Sequence, residues 1–479
     1  MRIIGNDPNT PRQTQVVASG TLSTGDTVVV NSDGTVSAVA GGGSPAVLGS
    51  AAAWSGYADE LAAAYDANTS TVVIAFEDST NSDYGTAIVG TVSGTSISFG
   101  SAVVFKSARA AHIDVTYDSN SQKVVIVFRD YGNSNYGTAI VGTVSGTSIS
   151  FGSTYTYNSG TSNENHAAFD SNSNKVVIAY KDWGNSAYGT AVVGTVSGTS
   201  ISFGSEVVFD SASVFPWDIV YDSSAQKVVI TYRDDSNGTK GTSIVGTVSG
   251  TSISFGTKVA FTASAAYELG SAYDSNASKI VISFKDQANS NYGAAIVGTV
   301  SGTSISFGTQ ALFSSSAVGG TRVVYDQNAQ KVVIVYYDSG NSQYGTLVEG
   351  TVSGTSISFS DPLVFNEAAS YYLDAVYDSS QQKVAIVYNG VTGASKVYQT
   401  GTLSTNLTAE NYIGTAKSGA ADGDGVVVNT QGTVDTGQTG LTAGQSYYVQ
   451  TDGTLSTTAG DPSVFAGTAV SSTKLIVKG

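Results

Sequence analysis

Cysteine is absent from this chain of 479 residues, which excludes disulfides and thiolate metal sites. Histidine is nearly absent, since only His112 and His166 occur. No apolar run reaches the roughly 18 residues that a transmembrane helix needs, so we expect no membrane insertion. The opening MRIIGNDPNTPRQ lacks the long apolar segment of a Sec signal peptide, so we expect no export by that route.

Charge is scarce as well. Only 12% of the residues are charged, and 21 Lys and Arg face 37 Asp and Glu, which gives a formal net charge of −16. The acidic residues are spread thinly and form no long runs. A surface poor in Lys and Arg disfavours nucleic acid and anionic membranes as partners.

What the chain does contain is a repeat. The segment GTVSGTSISFG starts at Gly90, Gly142, Gly194, Gly246 and Gly298, and the variant GTVSGTSISFS starts at Gly350. The starts are 52 residues apart each time. A fixed period of this size, with 55 Gly and 6 Pro, is typical of a small β unit that is stacked many times.

One repeat, residues 109–160, predicts four antiparallel strands. They are His112–Asp118, Lys123–Arg129, Tyr136–Val144 and Ser148–Tyr157. The second is apolar on both faces, as expected of a strand packed between neighbouring sheets. The fourth alternates polar and apolar residues, as expected of an outer edge. Four short strands per repeat favour a β-propeller, and an open solenoid of similar sheets is the alternative.

The number of blades follows from an aspartate that ends the first strand. It occurs seven times, whereas complete third and fourth strands occur together six times. The missing strand can come from Pro45–Trp54, just before the first repeat. We therefore predict an all-β fold with a seven-bladed propeller at residues 43–403, whose last blade is completed by an N-terminal strand that leaves no free sheet edge.

The flanks contain related segments with hairpin signals, at residues 27–39, 424–435 and 447–458. Residues 1–42 and 404–479 are therefore predicted to form one small β domain that the propeller interrupts. The opening MRIIGNDPNTPRQTQVVASGTLSTGDTVVVNSDGTVSAV and the ending from NLTAENYIGTAKSG onwards resemble structural proteins of marine bacteriophages, especially cyanophages.

This resemblance covers about 115 flanking residues and carries no catalytic or binding motif. It implies a virion component whose terminal β domain contacts other virion proteins and which displays the propeller. It does not distinguish a capsid decoration from a tail or fibre protein. We expect a location on the virion and a homo-oligomeric state.

Two sets of aspartates invite a metal interpretation. Those that end the first strand favour Asx turns over calcium ligands, because the spacing lacks a full calcium loop and its closing glutamate. They are Asp66, Asp118, Asp170, Asp222, Asp274, Asp326 and Asp378. Those that end the second strand favour loop caps and pairs with neighbouring blades. They are Asp78, Asp130, Asp182, Asp234, Asp286 and Asp338. We expect no metal site and no cofactor.

The segments between the fourth and first strands vary most among the repeats, and we predict them as loops on one face. Aromatic side chains beside small polar residues suit sugars, because a ring stacks on the apolar face of a pyranose. The candidate ligand-binding residues are Trp217, Phe215, Tyr267, Tyr371, Tyr372, Arg109, His112 and Trp183. The alternative is that these loops only plug the end of the ring.

Catalysis has little support in the sequence. Neither GxSxG nor HExxH occurs, and the Asp-box and arginine cluster of sialidase-like propellers are missing. The resemblance of the flanks to phage structural proteins then implies a non-enzymatic virion protein of the tail, fibre or surface appendage, with a host surface glycan as a further expected partner. The alternatives are an architectural capsid decoration and a secreted lectin-like propeller.

Overall fold

The computed structural model describes residues 13–39, 41–42, 46–54, 56–389, 393–401, 404–405, 407–408, 410–451, 453–460 and 463–478. The parts of the predicted segments at residues 1–12, 43–45 and 402–403 lie outside the described residues. The chain divides into two compact units, residues 46–400 and residues 1–45 with 401–479. Within the described ranges the fold is all-β, as predicted, and no helix there could span a membrane.

Six consecutive repeats each form an antiparallel sheet, which we number repeat sheets 1 to 6. Sheet 1 comprises Ala58–Asp66, Thr71–Asp78, Tyr84–Ser93 and Ser96–Phe99. Sheet 2 comprises Val103–Asp118, Lys123–Asp130, Tyr136–Ser145 and the start of Ser148–Asp170. Sheet 3 comprises the end of Ser148–Asp170 with Lys175–Asp182, Tyr188–Ser197 and Ser200–Phe203. Sheet 4 comprises Val207–Asp222, Lys227–Asp234, Lys240–Ser249 and Ser252–Phe255. Sheet 5 comprises Val259–Asp274, Lys279–Asp286, Tyr292–Ser301 and Ser304–Phe307. Sheet 6 comprises Ala311–Asp326, Lys331–Asp338, Tyr344–Ser353 and Ser356–Phe359, and Leu363–Ala369 also pairs with its third strand.

The last repeat forms repeat sheet 7 with help from the N-terminal side of the unit. Its own strands are Tyr371–Asp378, Lys383–Asn389 and Gly393–Gln399. The third of these pairs with the short strands Val47–Leu48 and Ala52–Ala53 in the antiparallel sense. The outer edge of the last sheet is therefore covered by residues that precede the first sheet in the chain.

Apolar side chains join each repeat sheet to the next. The second strands are buried on both faces, as Lys123–Asp130 illustrates. Each core cluster of this unit draws on two successive sheets; one joins Ile74 of sheet 1 to Val387 and Val397 of sheet 7. The first strands contact one another in the same succession, and that of sheet 7 contacts that of sheet 1.

Short 3-10 turns link the second and third strands of sheets 1 to 6. They are Ser79–Asn81, Tyr131–Asn133, Trp183–Asn185, Asp235–Asn237, Gln287–Asn289 and Ser339–Asn341. The aspartate before each turn belongs to the second set above, and Asp130 accepts a hydrogen bond from Gly132 N at 2.9 Å. Lys106, on the first strand of sheet 2, pairs with Asp130 at 2.6 Å, and Lys258, just before the first strand of sheet 5, pairs with Asp234 at 2.9 Å. Five of the six aspartates cap their turns as predicted, whereas Asp182 makes no such hydrogen bond. The predicted ion pairs are seen at Asp130 and Asp234.

The first set of aspartates forms Asx turns, as predicted. Asp118 Oδ1 accepts hydrogen bonds from Asn120 N at 2.9 Å and Ser121 N at 3.0 Å. The same geometry recurs at Asp66 and Asp326. These carboxylates are therefore occupied by backbone donors, as a turn requires.

The other unit contains strands from both flanks. One sheet has the strand order Gln13–Val17, Gly425–Asn429, Tyr412–Ala416, Thr27–Val30 and Val36–Ala38. A second sheet has the strand order Val434–Asp435, Lys474–Val477, Val464–Ser471, Ser446–Val449 and Leu455–Ser456. The short strand Gly41–Gly42 pairs with Ser404–Thr405. The hairpin signals at residues 27–39 and 447–458 correspond to paired strands. The one at 424–435 was wrong, because its two strands belong to different sheets.

A glycine at the start of each third strand makes room for an aromatic ring. A Cβ built on Gly293 would lie 2.2 Å from Cε2 of Phe313, and one built on Gly137 would lie 2.4 Å from Cε2 of Tyr157. We expect Gly293→Ala to lower the free energy of unfolding by about 1–3 kcal/mol, because the buried ring must move. Urea unfolding measures this change, with Gly460→Ala as the control, since that methyl meets only the end of Gln450. Equal decreases in the free energy of unfolding of Gly293→Ala and Gly460→Ala would contradict the conclusion that Gly293 makes room for the ring of Phe313.

Candidate functional site

A β-bulge interrupts the first strand of every repeat sheet at the same place. The register shifts between Ala111 and Asp114, for example, and between Gly319 and Arg322. The residues at the bulge lie 52 positions apart, and six of them have positive φ values between 47° and 63°. They are Glu60, His112, Glu164, Glu268, Gly320 and Tyr372, with Pro216 at the equivalent place in sheet 4. A left-handed conformation at residues other than glycine is uncommon and is often found at binding sites.

The bulge residues contact one another from sheet to sheet. Glu60 Oε2 accepts a hydrogen bond from the backbone N–H of His112, and Glu268 Oε2 accepts one from Gly320. The equivalent donor for Glu164 would be Pro216, which has no N–H. Glu164 instead lies 3.4 Å from Nδ1 of His112.

These contacts shift the protonation equilibria of Glu164 and His112. Burial and, to a smaller extent, the charge of Glu60 raise the pKa of Glu164 to about 8. Burial also lowers the pKa of His112. Both groups therefore favour their uncharged forms near neutral pH.

A cavity of about 580 Å³ near the bulges is rich in aromatic side chains. We call it the aromatic pocket. It is lined by Tyr57, Asp59, Trp217, Glu268, Gly320, Arg322, Tyr337, Tyr371, Tyr372 and Leu373. Tyr371 and Tyr372 are 37% and 46% exposed, so their rings are open to a ligand. Trp217 Nε1 is buried without a hydrogen-bond partner among the described residues.

Polar groups at the edge of the aromatic pocket are held in place. Glu268 lies 3.4 Å from Lys285 Nζ, in addition to its bond from Gly320. Tyr337 and Tyr371 make an edge-to-face contact with ring centroids 5.6 Å apart. Tyr371 also donates a hydrogen bond to Gln343. The pocket therefore combines fixed aromatic faces with ordered carboxylate acceptors.

Two smaller cavities adjoin the same residues. The histidine cavity, about 140 Å³, is lined by Glu60, His112, Glu164, Tyr372 and Arg322, among others. The inner cavity, about 180 Å³, is lined by the side chains that follow the bulges, which include Asp114, His166, Asp218, Arg322 and Asp374.

The aspartates of the inner cavity connect neighbouring sheets. Asp114 accepts a hydrogen bond from Ala167 N at 2.7 Å, and Asp374 accepts one from Ala63 N at 2.8 Å. Burial raises the pKa of Asp114 to about 8, although its backbone donors oppose the shift. Burial lowers the pKa of His166 to about 3, so this imidazole is neutral. Among the described residues, no cluster of three or more His, Asp or Glu side chains could hold a metal ion.

Cations and aromatic rings alternate beside the aromatic pocket. Arg109 and Arg129 lie over the ring of Tyr131, 4.6 and 4.5 Å from its centroid. Arg109 also pairs with Glu77 at 2.7 Å. Burial nevertheless raises the pKa of Glu77 to about 7.

The alternation continues in sheets 3 to 5. Lys181 lies 4.9 Å from the ring of Trp183 and 5.4 Å from that of Phe215. Arg233 lies over Phe215 and Tyr267, at 4.6 and 5.1 Å. This series of stacked side chains reaches the aromatic pocket where Phe215 contacts Trp217, at 5.2 Å between centroids.

The eight residues singled out from the sequence lie in three places. Trp217, Tyr371 and Tyr372 line the aromatic pocket, and His112 lines the histidine cavity. The remaining four lie in the alternating series of cations and rings: Arg109, Trp183, Phe215 and Tyr267. Trp183 is 54% exposed and does not line the aromatic pocket.

Sequence reasoning missed other residues that line these cavities, above all Arg322 and Glu268. A signal for Arg322 exists in the sequence. In the frame of 52 residues, the position of Arg322 is occupied elsewhere by alanine, aspartate, histidine or glycine, so this repeat alone places a permanent cation there.

No protein-family model matches the chain, and no curated protein matches it. Several solved structures are similar in part. The BP39L lectin from Burkholderia pseudomallei is 10% identical, with 72% of this chain and 99% of that chain covered and a TM-score of 0.49. A triple arginine-to-alanine mutant of AofleA from Arthrobotrys oligospora is 8% identical, with coverages of 72% and 98% and a TM-score of 0.43. A protein of unknown function from Dyadobacter fermentans is 10% identical, with coverages of 60% and 94% and a TM-score of 0.44. These values are too low to assign a ligand to this chain.

Proposed function

We propose that this chain is a non-enzymatic carbohydrate-binding protein and that its aromatic pocket holds the saccharide. The observation that carries the proposal is the composition of that pocket. Five aromatic side chains surround about 580 Å³, and Asp59 and Glu268 lie among them. A pocket of this size suits a mono- or disaccharide. Aromatic faces contact the C–H face of a sugar ring, and carboxylates accept hydrogen bonds from its hydroxyls.

We also propose that residues 46–400 form a seven-bladed β-propeller. The support is the succession of repeat sheets, each packed on the next, and the contact between sheets 7 and 1. In such a ring the bulges would meet around a single axis, which brings residues from distant repeats to one pocket. Trp217 of sheet 4 and Tyr372 of sheet 7 line the same pocket, which supports this arrangement.

A glycan array tests the binding proposal. We expect Trp217→Ala to weaken binding of the recognised glycan about tenfold or more, because an aromatic anchor that the glycan would cover is lost. Trp183→Ala is the matched control, since it removes an exposed indole outside the pocket, and we expect its binding to stay within about twofold of the wild type.

Two results would contradict the proposal. One is no binding across a broad array by the folded wild-type protein. The other is an equal loss in the two tryptophan variants. Release of shortened saccharides, detected by mass spectrometry after long incubation, would contradict the non-enzymatic part alone.

We further propose that the unit of residues 1–45 and 401–479 attaches the chain to other virion proteins. The support is the resemblance of the flanking segments to marine phage structural proteins. Immunogold labelling of purified virions tests this proposal. Label at the tail tip or fibres fits a role in host attachment, label over the shell fits a decoration protein, and virions without label would contradict the proposal.

A further inference from the structure

Arg322 occupies a position that the neighbouring repeats give to other residues. It follows the bulge in the first strand of sheet 6, where Asp114, His166, Asp218 and Asp374 stand in other sheets. It lines the aromatic pocket and both smaller cavities. A guanidinium at this place is within reach of whatever fills the aromatic pocket.

The hydrogen-bonding capacity of Arg322 is largely unused. Nη1 donates to the backbone oxygen of Thr321 at 2.9 Å, and no ion pair joins the side chain to a carboxylate in the part of the chain that the structure describes. By contrast, Arg109 pairs with Glu77, and Arg233 pairs with Asp235, each at 2.7 Å. A guanidinium has five N–H donors in a planar fork, which matches a two-oxygen anion.

The acids that share a cavity with Arg322 are held by other groups or carry reduced charge. Asp218 accepts hydrogen bonds from Ser271 N at 2.6 Å and Ile219 N at 2.8 Å. Burial raises the pKa of Asp218 to about 6, with the Ser271 bond and the charge of Arg322 opposing the shift. Glu268 is held by Lys285 and Gly320. Asp374 accepts bonds from Ala63 and Ala375. Burial raises the pKa of Glu164 to about 8, so this group is mostly protonated at neutral pH. The charge of Arg322 acts on these acids from a distance, but no described carboxylate forms an ion pair with it, so its guanidinium donors remain open to an incoming anion.

We propose that the aromatic pocket selects an acidic saccharide, whose anionic group forms a bidentate pair with Arg322 while its ring stacks on Trp217 or Tyr372. This inference rests on the proposed carbohydrate-binding function and specifies its ligand class. The shared chemistry is a carboxylate or a sulfate ester on a sugar ring. Both place two oxygens in the geometry that the guanidinium fork accepts.

The test is an array of uronate, sialylated, sulfated and neutral oligosaccharides, followed by titration calorimetry. We expect the bound glycans to be acidic, and the carboxylate and sulfate arms show which group is preferred. For a uronate ligand, reduction of the carboxyl to an alcohol gives a neutral partner with the same stereochemistry. We expect the reduced glycan to bind about 10- to 100-fold more weakly, because a charged hydrogen-bonded pair is lost.

Variants at position 322 locate the effect. Arg322→Gln should remove the preference for the acidic glycan, and Arg322→Lys should restore part of it, since the charge remains without the fork. Arg129→Gln is the matched control. Arg129 donates hydrogen bonds to the amide oxygens of Asn135 and Asn163, stacks on Tyr131 and lies outside the pocket. We expect this variant to keep the preference.

Failure of the inference differs from failure of the function. The acidic ligand alone would be overturned by a particular combination of results. Neutral and acidic glycans would bind with equal affinity, Trp217→Ala would still weaken binding, and Arg322→Gln would leave the affinity unchanged. No binding of any glycan would overturn both. If Arg322→Gln does not fold, the inference is tested by the glycan preference of Arg322→Lys and by the dependence of the affinity on sodium chloride. An unchanged preference in Arg322→Lys, with affinity independent of sodium chloride, would overturn the inference.

Discussion

Replacing Trp54 by alanine is expected to lower the free energy of unfolding of the unit formed by residues 46–400 by about 3–5 kcal/mol. Trp54 is only 4% exposed and packs on Phe76 and Phe99 of sheet 1, at 6.3 and 5.4 Å between centroids. Its backbone N–H donates to Gly393 of sheet 7 at 3.1 Å. One residue thus connects the first and last sheets, and its loss leaves a cavity where they meet.

Urea unfolding followed by far-ultraviolet circular dichroism measures the change. Trp183→Ala is the control, because its indole is 54% exposed, and we expect a change within about 0.5 kcal/mol. A loss in Trp54→Ala no larger than in the control would show that the segment before sheet 1 does not lock the last sheet in place.

The stability of the protein is expected to fall as the pH rises from 6.5 to 9. Burial raises the pKa of Glu164 from 4.5 to about 8. The folded state therefore holds a proton that the unfolded state has already released in this interval, so the free energy of unfolding decreases with pH. Asp114, with a pKa raised to about 8, acts in the same direction. Each group contributes a loss of about 2–3 kcal/mol over this range.

The two histidines act in the opposite direction at lower pH. Burial lowers the pKa values of His112 and His166, so their contribution to stability increases as the pH rises and is complete once the unfolded histidine is neutral, above about 6.5. The histidines therefore do not offset the decrease in the free energy of unfolding at higher pH. Above pH 6.5 the buried carboxyl groups set the direction, and Glu77, whose pKa burial raises to about 7, adds to the fall.

The variant Glu164→Gln tests whether Glu164 causes part of the decrease in stability with pH. We expect the variant to lose about half of the decrease between pH 6.5 and 9, as measured by urea unfolding at the two pH values. Glu410→Gln, an exposed glutamate of the other unit, should leave the decrease unchanged. A wild-type protein whose stability rises over this interval, or an unaltered decrease in Glu164→Gln, would contradict the protonation states of the histidine cavity.

The strands of the repeats could be predicted closely from the sequence. The predicted Lys123–Arg129 is observed as Lys123–Asp130, and the predicted Tyr136–Val144 as Tyr136–Ser145. The apolar runs and the turn residues between them give strong local signals at these places. The turn aspartates follow from the same local chemistry, because an Asx turn needs only its own backbone.

The segments predicted as variable loops proved to be strands. Ser148–Asp170 runs without interruption through the segment that the sequence divides in two. The break that the sequence suggests is a bulge at Glu164, whose φ is 49°. Local propensity does not predict a left-handed glutamate, and the hydrogen bonds between neighbouring sheets that hold such bulges are not local.

The aromatic pocket was only partly accessible from the sequence. Trp217, Tyr371 and Tyr372 are prominent because they are large aromatic residues in variable segments. The frame of 52 residues marks Arg322 as an exception, but its place beside Glu268 in one pocket follows only when sheets 5 and 6 lie beside sheets 4 and 7. Residues separated by more than one repeat come together through the packing of whole sheets, which no local pattern encodes.

Hydroxyl-radical footprinting, with and without the glycan that the array identifies, tests most directly that the aromatic pocket is the binding site. We predict that the glycan protects Trp217, Tyr371 and Tyr372 from oxidation and leaves Trp183 and Tyr131 as reactive as in the free protein. Protection of Trp183 and Tyr131 with unchanged oxidation at Trp217 would place the ligand elsewhere and contradict this account.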